Sequence, residues 1–336
     1  MKKIYYIVPD IFPRDFNLRR AFRAWKMGKL KPHIESYWLG KQKPIGGVKV
    51  MYQHCMLLRE LGYDAIPLQM GRYNGNLFDY DIEAQSVKDT GYNLGHDAVI
   101  VAPEITPHIL EKFTCGLKIM FAQNWRRTYS FFDHSHVKSS YIDLGYDHIL
   151  CVGEYIRDTL TRDNREDITV ISNFIDHSIF KPDTSKRINR RVLGLPRKNK
   201  NDLDKIRSIV KQLGIEITYV DGLSQTEIRD EYQKSDIFLT VGYPEGFGLP
   251  QLEAMACGCS VVGFTGGGAR EFMVDGETAL VAEDGDCEKA AALLASVISD
   301  EKQKESIRQN GLAKAASYSS KKTKKQLAEF YSELLL

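Results

Sequence analysis

The sequence lacks several features that would each assign it to a class of protein. No segment approaches the ~20 apolar residues that a helix needs to cross a bilayer, and Pro9 and Asp10 stop the first apolar run far short of a signal-peptide core. Its 46 Lys and Arg barely outnumber its 44 Asp and Glu, so the charge balance does not indicate a nucleic-acid partner. The six cysteines form no CxxC pair, which excludes the usual zinc and dithiol motifs. We therefore expect a cytoplasmic protein with reduced thiols.

Motifs for bound cofactors and metals are also missing. PDIFPRD stands after the first predicted strand, where an NAD-dependent enzyme would have GxGxxG. Asp79 and Asp81 precede polar residues instead of ending a buried strand, and His134 and His136 have no carboxylate or cysteine cluster beside them in the sequence. The sequence therefore predicts neither a cofactor nor a metal site.

What the sequence has is an alternation of short apolar runs with longer amphipathic ones, which is typical of parallel βαβ units. A chain of 336 residues favours two domains of about 150 residues each. The predicted strands are KIYYIV, AIPLQM, AVIVA, LKIMFA, HILCV and ITVISN, followed by RRVLGL, IEITYV, DIFLTV, SVVGF and TALVA. The predicted helices include VKVMYQHCMLLRELG, DLDKIRSIVKQLG and SQTEIRDEYQKS.

These two series predict an α/β protein with two Rossmann-like, doubly wound domains. The periodicity lapses in IDHSIFKPDTSKR, so we place the domains at residues 1–177 and 178–321. Residues 322–336 are predicted to form a last helix that can pack back on the first domain.

Two glutamates are the only charged residues in the stretch GYPEGFGLPQLEAMACG. Glu245 follows a predicted strand, at the edge of a parallel sheet where ligands bind. Gly246 and Gly248 let the backbone approach a ligand closely and donate amide hydrogens to it. Pro250 suits the first turn of a helix, which places Glu253 near the helix's positive end. The pair indicates a nearby cation or a ligand rich in hydroxyls; the alternative is a loop glutamate and a solvated helix acid.

With residues 246–252 between the two glutamates, EGFGLPQLEAMACGCSVV resembles the signature of family 4 glycosyltransferases, which have the GT-B fold. The resemblance continues through GFTGGGAREFMVDGETALV and back into SDIFLTVGYPEGFG. Weaker collinear similarities are IGGVKVMYQHCMLLRELGYDA, ILCVGEYIRDTL and VISNFIDHSIFKP. The resemblance implies two Rossmann-like domains facing across a cleft, the second of which binds a nucleotide-sugar donor.

The resemblance also implies roles for the residues of the signature. Glu245 matches the family's glutamate that contacts the donor sugar, and Glu253 matches the one that binds the ribose diol. The loop between them would supply backbone amides to the sugar and phosphates, from Gly246, Phe247, Gly248 and Leu249.

Negative charge that develops on a pyrophosphate leaving group needs cations or helix amino ends. LPRKNKNDL offers Arg197, Lys198 and Lys200 at the place where the family has its phosphate-binding arginine and lysine. The sequence does not choose between the two lysines, and a solvated basic loop is the alternative. Gly46 and Gly47 resemble the family's glycine loop before the first long helix, which implies that they bind the donor, with amides that approach the phosphates or the acceptor. The alternative is a plain turn.

The acceptor side departs from the family pattern. Family members often have a histidine after a central strand of the first domain, whereas IMFAQNWRRTY has Gln123 and Asn124 there. Asn124 and Arg126 are therefore the acceptor-side candidates. Residues 16–31 are basic with one apolar helical face that includes Trp25, and two interpretations stay open. Either this helix contacts an anionic membrane at its inner face, or it packs its Trp25 face on the protein.

The sequence thus predicts a metal-independent glycosyltransferase of the hexosyltransferase type, acting on a glycan or lipid-linked acceptor in glycan biosynthesis. The resemblance implies that the transfer retains the configuration of the sugar. Two alternatives of other classes remain. One is a nucleotide-sugar epimerase of the same fold, and the other is a non-catalytic subunit that binds sugar nucleotides.

Overall fold

The chain divides into two compact units, each described here by itself. A computed structural model describes residues 2–9, 22, 25–26, 46–71, 80–124, 141, 145–161 and 168–335. Unit 1 comprises Met1–Phe121, Phe131–Ile149 and Tyr331–Leu336, and unit 2 comprises Ala122–Ser130 and Leu150–Phe330. These units are defined by which residues contact one another, and the domain boundary between residues 177 and 178 stays a prediction.

The first sheet has seven strands in the order β3-β2-β1-β4-β5-β6-β7. They are β1 (Lys3–Val8), β2 (Asp64–Gln69), β3 (Gln85–Ser86), β4 (Asn93–Pro103), β5 (Thr114–Ala122), β6 (His148–Cys151) and β7 (Ile168–Val170). The pairings of β1 with β2 and β4, of β2 with β3, and of β4 with β5 are parallel. Every residue of β1 after Lys3 is buried, as expected for a central strand covered on both faces.

Helices connect these strands as the sequence pattern predicts. They are α1 (Gly46–Glu60), α2 (Val87–Thr90) and α3 (Glu154–Thr161), with a short 3₁₀ helix at Pro107–Lys112. α1 confirms the helix predicted from VKVMYQHCMLLRELG, and it begins at the first of the two predicted glycines.

The second sheet has five strands in the order β12-β11-β10-β8-β9. They are β8 (Val192–Gly194), β9 (Ile217–Tyr219), β10 (Ile237–Thr240), β11 (Ser260–Phe264) and β12 (Leu280–Ala282). All neighbouring strands in this sheet are parallel. Both sheets therefore confirm the predicted α/β class with two Rossmann-like layers. As the sequence predicts, β9 is the only strand of this sheet between β8 and β10 along the chain.

The described part of unit 2 contains six further α-helices and a 3₁₀ helix at Gly268–Glu271. The α-helices are α4 (Lys200–Lys211), α5 (Gln225–Lys234), α6 (Leu249–Ala256), α7 (Cys287–Ser299), α8 (Glu301–Ala316) and α9 (Ser320–Leu334), of which the last turn of α9 belongs to unit 1. α5 starts with a capping box, because the Ser224 hydroxyl accepts from the Glu227 amide and the Glu227 carboxylate accepts from the Ser224 amide. The apolar faces of α4, α7 and α8 pack with the strands into one core, which includes Leu203, Leu294 and Ile307.

A buried ion cluster lies at the start of β10. Asp236 is 3% exposed and accepts a hydrogen bond from the Lys304 ammonium at 2.8 Å. The Arg308 guanidinium pairs with the other carboxylate oxygen, and the Arg190 amide donates to Asp236 at 2.9 Å. This cluster ties α8 to the amino end of the sheet, opposite the edge at which ligands bind.

Unit 1 contains a buried polar cluster of three aromatic side chains. The Tyr6 hydroxyl lies 3.2 Å from His54 Nδ1 and 3.2 Å from the Tyr331 hydroxyl. Burial lowers the pKa of His54 to about 3, so its ring is neutral at physiological pH. Tyr331 comes from the end of α9, whereas Tyr6 comes from β1 and His54 from α1.

No helix among the described residues is long and apolar enough to cross a membrane. Several residues singled out in the sequence lie outside the described part of the chain: Asp79, Arg126, His134, His136 and most of residues 16–31.

Candidate functional site

The loop that carries Glu245 connects β10 to α6 and is fixed to the next loop by backbone hydrogen bonds. The Glu245 amide donates to the Gly266 carbonyl at 2.7 Å, and the Gly268 amide donates to the Glu245 carbonyl at 3.1 Å. The Gly266 amide in turn donates to the Asp284 carboxylate at 3.0 Å. The glutamate is therefore held at the carboxyl edge of the second sheet, as the sequence predicts.

Glycines at this position allow backbone segments to touch. A methyl group on Gly246 would lie 1.7 Å from the Gln123 carbonyl oxygen, and one on Gly268 would lie 2.1 Å from the Gly246 carbonyl oxygen. Neither position has room for a side chain. Asn124, an acceptor-side candidate in the sequence, consequently lies beside the Glu245 loop, with its Cα 2.9 Å from the same added methyl group.

The amides that follow Glu245 have no acceptor within the described chain. This set begins at Gly246, continues through Phe247 and Gly248, and ends at Leu249, the first residue of α6. Gly248 is left-handed, with φ 97° and ψ 48°, and Pro250 stands in the first turn of the helix. Unbonded amides at a helix start form a concave, electropositive surface suited to an anion.

The basic loop after β8 places its two lysines differently. The Lys198 ammonium lies 2.8 Å from Glu245 Oε1 and donates to the Pro244 carbonyl at 2.8 Å. Lys200 instead pairs with Asp204 one turn along α4, and its side chain is 58% exposed. Only Lys198 therefore reaches the Glu245 loop, a distinction that the sequence left open.

Arg197 and Glu253 both act electrostatically on the buried Tyr232 hydroxyl. Burial raises the pKa of Tyr232 well above its usual range; the Glu253 carboxylate raises it further and the Arg197 guanidinium opposes this. Both charges therefore act on the same phenol of α5. Glu253 is half-buried and is the fifth residue of α6, just beyond the first helical turn.

Three residues that the sequence analysis missed, Asn199, Asp202 and Tyr243, connect the basic loop to the Glu245 loop. The Tyr243 amide donates to Asn199 Oδ1 at 3.0 Å, and the Tyr243 hydroxyl donates to Asp202 Oδ2 at 2.8 Å. The hydrogen bond to Asp202 raises the pKa of Tyr243. An asparagine before a helix and a tyrosine before Pro-Glu are common enough that neither position stands out in the sequence.

The half-buried carboxylate of Glu271, shortly after Gly266–Gly268, accepts a hydrogen bond from the start of α3. Glu271 Oε1 accepts from the Tyr155 amide at 3.0 Å, at the start of α3. Burial raises the pKa of Glu271, and the hydrogen bond from the Tyr155 amide opposes this. A methyl group on Gly153 would lie 2.3 Å from the same oxygen, so the glycine makes room for the carboxylate.

The remaining candidates lie elsewhere. Gly46 and Gly47 start α1 of unit 1 and are partly buried. In the basic segment, Phe22 is 55% and Trp25 59% exposed, and the Lys26 ammonium lies 5.0 Å from the centre of the Phe22 ring. Among the described residues, no group of three or more His, Cys, Asp or Glu is arranged to hold a metal ion.

Comparison with known proteins gives a family match for part of the chain. Residues 178–314 match the family described as "Glycosyl transferases group 1". D-inositol 3-phosphate glycosyltransferase of Corynebacterium efficiens is 27% identical over 157 residues, which is 46% of this chain and 37% of that protein. The same enzyme of Corynebacterium urealyticum is 30% identical over 131 residues, 38% of this chain and 31% of that protein. The chain thus matches only about a third of the length of these relatives.

Solved structures match over the whole chain. Sucrose-phosphate synthase of Thermosynechococcus elongatus superimposes with a TM-score of 0.73 at 12% identity, covering 100% of this chain and 99% of that one. HepE of Anabaena, solved in complex with UDP and glucose, gives a TM-score of 0.70 at 15% identity over 99% of this chain and 100% of that one. The chain therefore has the GT-B fold, and residues 178–314, which include Glu245, Glu253 and the basic loop, are similar to group 1 glycosyl transferases.

Proposed function

We propose that this protein is a glycosyltransferase that moves a sugar from a nucleotide-diphosphate donor to a glycan or lipid-linked acceptor. The observation that carries the proposal is the acceptor-free run of backbone amides from Gly246 to Leu249, directly after the Glu245 that pairs with Lys198. This arrangement combines donors for a diphosphate with a carboxylate for sugar hydroxyls. The family match of residues 178–314 supports the same assignment.

In this proposal the diphosphate, the sugar and the ribose of the nucleotide-sugar donor each bind different residues. The diphosphate binds the amides at the start of α6 and the Lys198 ammonium, while Glu245 accepts hydrogen bonds from the sugar. Glu253 accepts hydrogen bonds from both hydroxyls of the ribose, because a vicinal diol needs an acceptor with two oxygens. Arg197 acts electrostatically on the same Tyr232 phenol as Glu253 and is proposed to supply further positive charge.

In the proposed reaction, the bond between the anomeric carbon and the β-phosphate oxygen breaks, and the acceptor oxygen bonds to the same face of the sugar. The acceptor's proton passes to the leaving phosphate oxygen, so configuration is retained without a separate general base. Charge that develops on the diphosphate is stabilised by Lys198 and the helix amides, which would make a metal ion unnecessary. The acceptor side is proposed to include Asn124, with Arg126 as a further candidate. Gly46 and Gly47 are further candidates for donor binding.

A thermal-shift screen tests donor binding. UDP, GDP, ADP, CMP, dTDP and their sugar forms are added to the intact protein, with UDP-glucose first because the HepE structure binds UDP and glucose. A ligand at a hundredfold its Kd stabilises the folded state by about 2.7 kcal/mol, which raises the melting temperature by several degrees. Lack of a shift with every nucleotide contradicts the proposal.

Two variants then separate the roles of the glutamates. Glu253→Ala is expected to abolish the shift, because the ribose loses its acceptor. Glu245→Ala is expected to keep much of the response to the nucleotide and lose turnover.

The two lysines of the basic loop provide a matched pair for a turnover assay. Lys198→Met is expected to lower kcat on the order of a hundredfold, as removal of an oxyanion-stabilising donor does. Lys200→Met removes the same charge from the same loop and is expected to leave kcat unchanged, since Lys200 pairs with Asp204 on α4. Equal losses in both variants would contradict the assignment of Lys198.

Incubation with the donor alone distinguishes transfer from isomerisation. Slow hydrolysis of the donor supports a transferase, and a rearranged sugar nucleotide would instead identify an epimerase.

A further inference from the structure

Tyr243 connects two loops of the candidate site through its backbone amide and its side-chain hydroxyl. Its amide donates to Asn199 Oδ1 at 3.0 Å, and its hydroxyl donates to Asp202 Oδ2 at 2.8 Å. Asn199 directly follows Lys198, and Tyr243 directly precedes Pro244, whose carbonyl accepts from the Lys198 ammonium at 2.8 Å. The two loops are therefore linked at this lysine and at two residues that follow it, Asn199 and Asp202.

Asn199 does not cap its own helix. An asparagine before a helix normally accepts a hydrogen bond from an amide of the first turn, but the Asn199 side chain makes no such bond at the start of α4. Its backbone is left-handed, with φ 52° and ψ 42°, and its side-chain oxygen binds the Tyr243 amide instead. The helix start thus lacks this stabilisation, and the side chain joins the loops.

The Tyr243 ring also packs against the second sheet. It packs edge to face against Phe264 at the end of β11, with ring centroids 5.8 Å apart. The hydroxyl is therefore held in place by the sheet and not only by its hydrogen bond. A rigid donor restricts the position of Asp202 and, with it, the first turn of α4 and the lysine before it.

We propose that Tyr243 is a positioning residue that holds Lys198 in place for the donor's diphosphate. It acts through Asn199 and Asp202 and does not itself contact the donor. This inference rests on the proposed function, since it takes the Lys198 ammonium as the diphosphate ligand. It adds a residue to that site that neither the family match nor the sequence pattern indicates.

The alternative is that the Tyr243 hydrogen bond only stabilises unit 2. Tyr219 provides the matched control, because its hydroxyl also donates to α4, to the Leu203 carbonyl at 3.1 Å. Tyr243→Phe and Tyr219→Phe each remove one phenol hydroxyl and one hydrogen bond to the same helix. A purely structural role predicts similar melting temperatures and unchanged turnover in both.

The main test is a double-mutant cycle on turnover. Tyr243→Phe is expected to lower kcat about tenfold, the scale of one hydrogen bond to a charged group, while Tyr219→Phe leaves kcat unchanged. In a Lys198→Met background the tenfold effect of Tyr243→Phe should vanish, because the lysine that it positions is gone. An equal effect with and without Lys198, or no effect in the parent protein, overturns the proposal.

A second measurement needs neither donor nor activity. Acetic anhydride modifies exposed amines, and mass spectrometry gives the labelling rate of Lys198 relative to Lys200. In Tyr243→Phe the Lys198 rate is expected to rise severalfold toward that of Lys200, and in Tyr219→Phe it should not change. An unchanged Lys198 rate in Tyr243→Phe refutes the positioning role even if the protein proves to bind no nucleotide, whereas failure of the nucleotide screen refutes only the proposed function.

Discussion

Mild acid should destabilise unit 1 through one histidine. His54 is fully buried, and its Nδ1 faces the Tyr6 hydroxyl, while its Nε2 has no hydrogen-bond partner within the described chain. Burial lowers the pKa of His54 from 6.5 to about 3. Between these two values the unfolded chain binds a proton that the folded unit cannot accept, so stability is full above pH 6.5 and falls as the pH drops toward 3.

The size of the effect follows from the two pKa values. Each pH unit below 6.5 costs about 1.4 kcal/mol, because the proton is bound only in the unfolded state. The loss is therefore about 2 kcal/mol at pH 5 and about 3 kcal/mol at pH 4. A loss of this size is a large fraction of the total stability of an ordinary domain, about 5–15 kcal/mol.

Urea unfolding between pH 7 and pH 5 measures this loss. The His54→Gln variant keeps a polar side chain near Tyr6 but has no proton to bind in this range, so its stability should be almost independent of pH. The informative quantity is the difference between the two pH dependences, because other groups titrate equally in both proteins. The same pH dependence in His54→Gln and the parent protein would refute the reasoning.

Three further predictions concern unit 2 and the cysteines. Asp236→Ala removes the one buried carboxylate that Lys304 and Arg308 share and should cost about 3–5 kcal/mol in urea unfolding. Glu301→Gln, at a side chain 71% exposed that also pairs with Lys304, should cost less than about 1 kcal/mol. At pH 8 a thiol reagent followed by mass spectrometry should label Cys115 first, because the other cysteines are buried; faster labelling of any other cysteine would contradict this. Gly246→Ala should abolish the thermal shift with nucleotides, because its methyl group would meet a carbonyl oxygen at 1.7 Å. Gly276→Ala, which has open space around a left-handed backbone with φ 73°, should lower the melting temperature but keep the shift.

Much of the fold could be predicted because apolar runs mark buried parallel strands. SVVGF coincides with β11, and KIYYIV coincides with β1. The sequence analysis missed β3, which has only Gln85 and Ser86 and therefore no periodicity to detect. Short polar edge strands form because a neighbouring strand offers hydrogen bonds, and that neighbour is distant in sequence.

The candidate site could be predicted in part for a similar reason. Glycines and a glutamate after a strand are local signals, and they placed Glu245 at the sheet edge. The choice between Lys198 and Lys200 required the direction of each side chain, which depends on where α4 begins. Tyr243 was missed because its role arises from hydrogen bonds to Asn199 and Asp202, more than forty residues earlier in the chain.

The Tyr6 and Tyr331 pair has a consequence for how the protein is made. The two hydroxyls touch across 325 positions of sequence, and both belong to unit 1. During synthesis from the amino terminus, the ribosome must therefore finish all of unit 2 before unit 1 can complete its buried cluster. Contacts of such high sequence separation form late, since the loop between them must be closed first. The buried cluster of unit 1 is consequently expected to form late in folding.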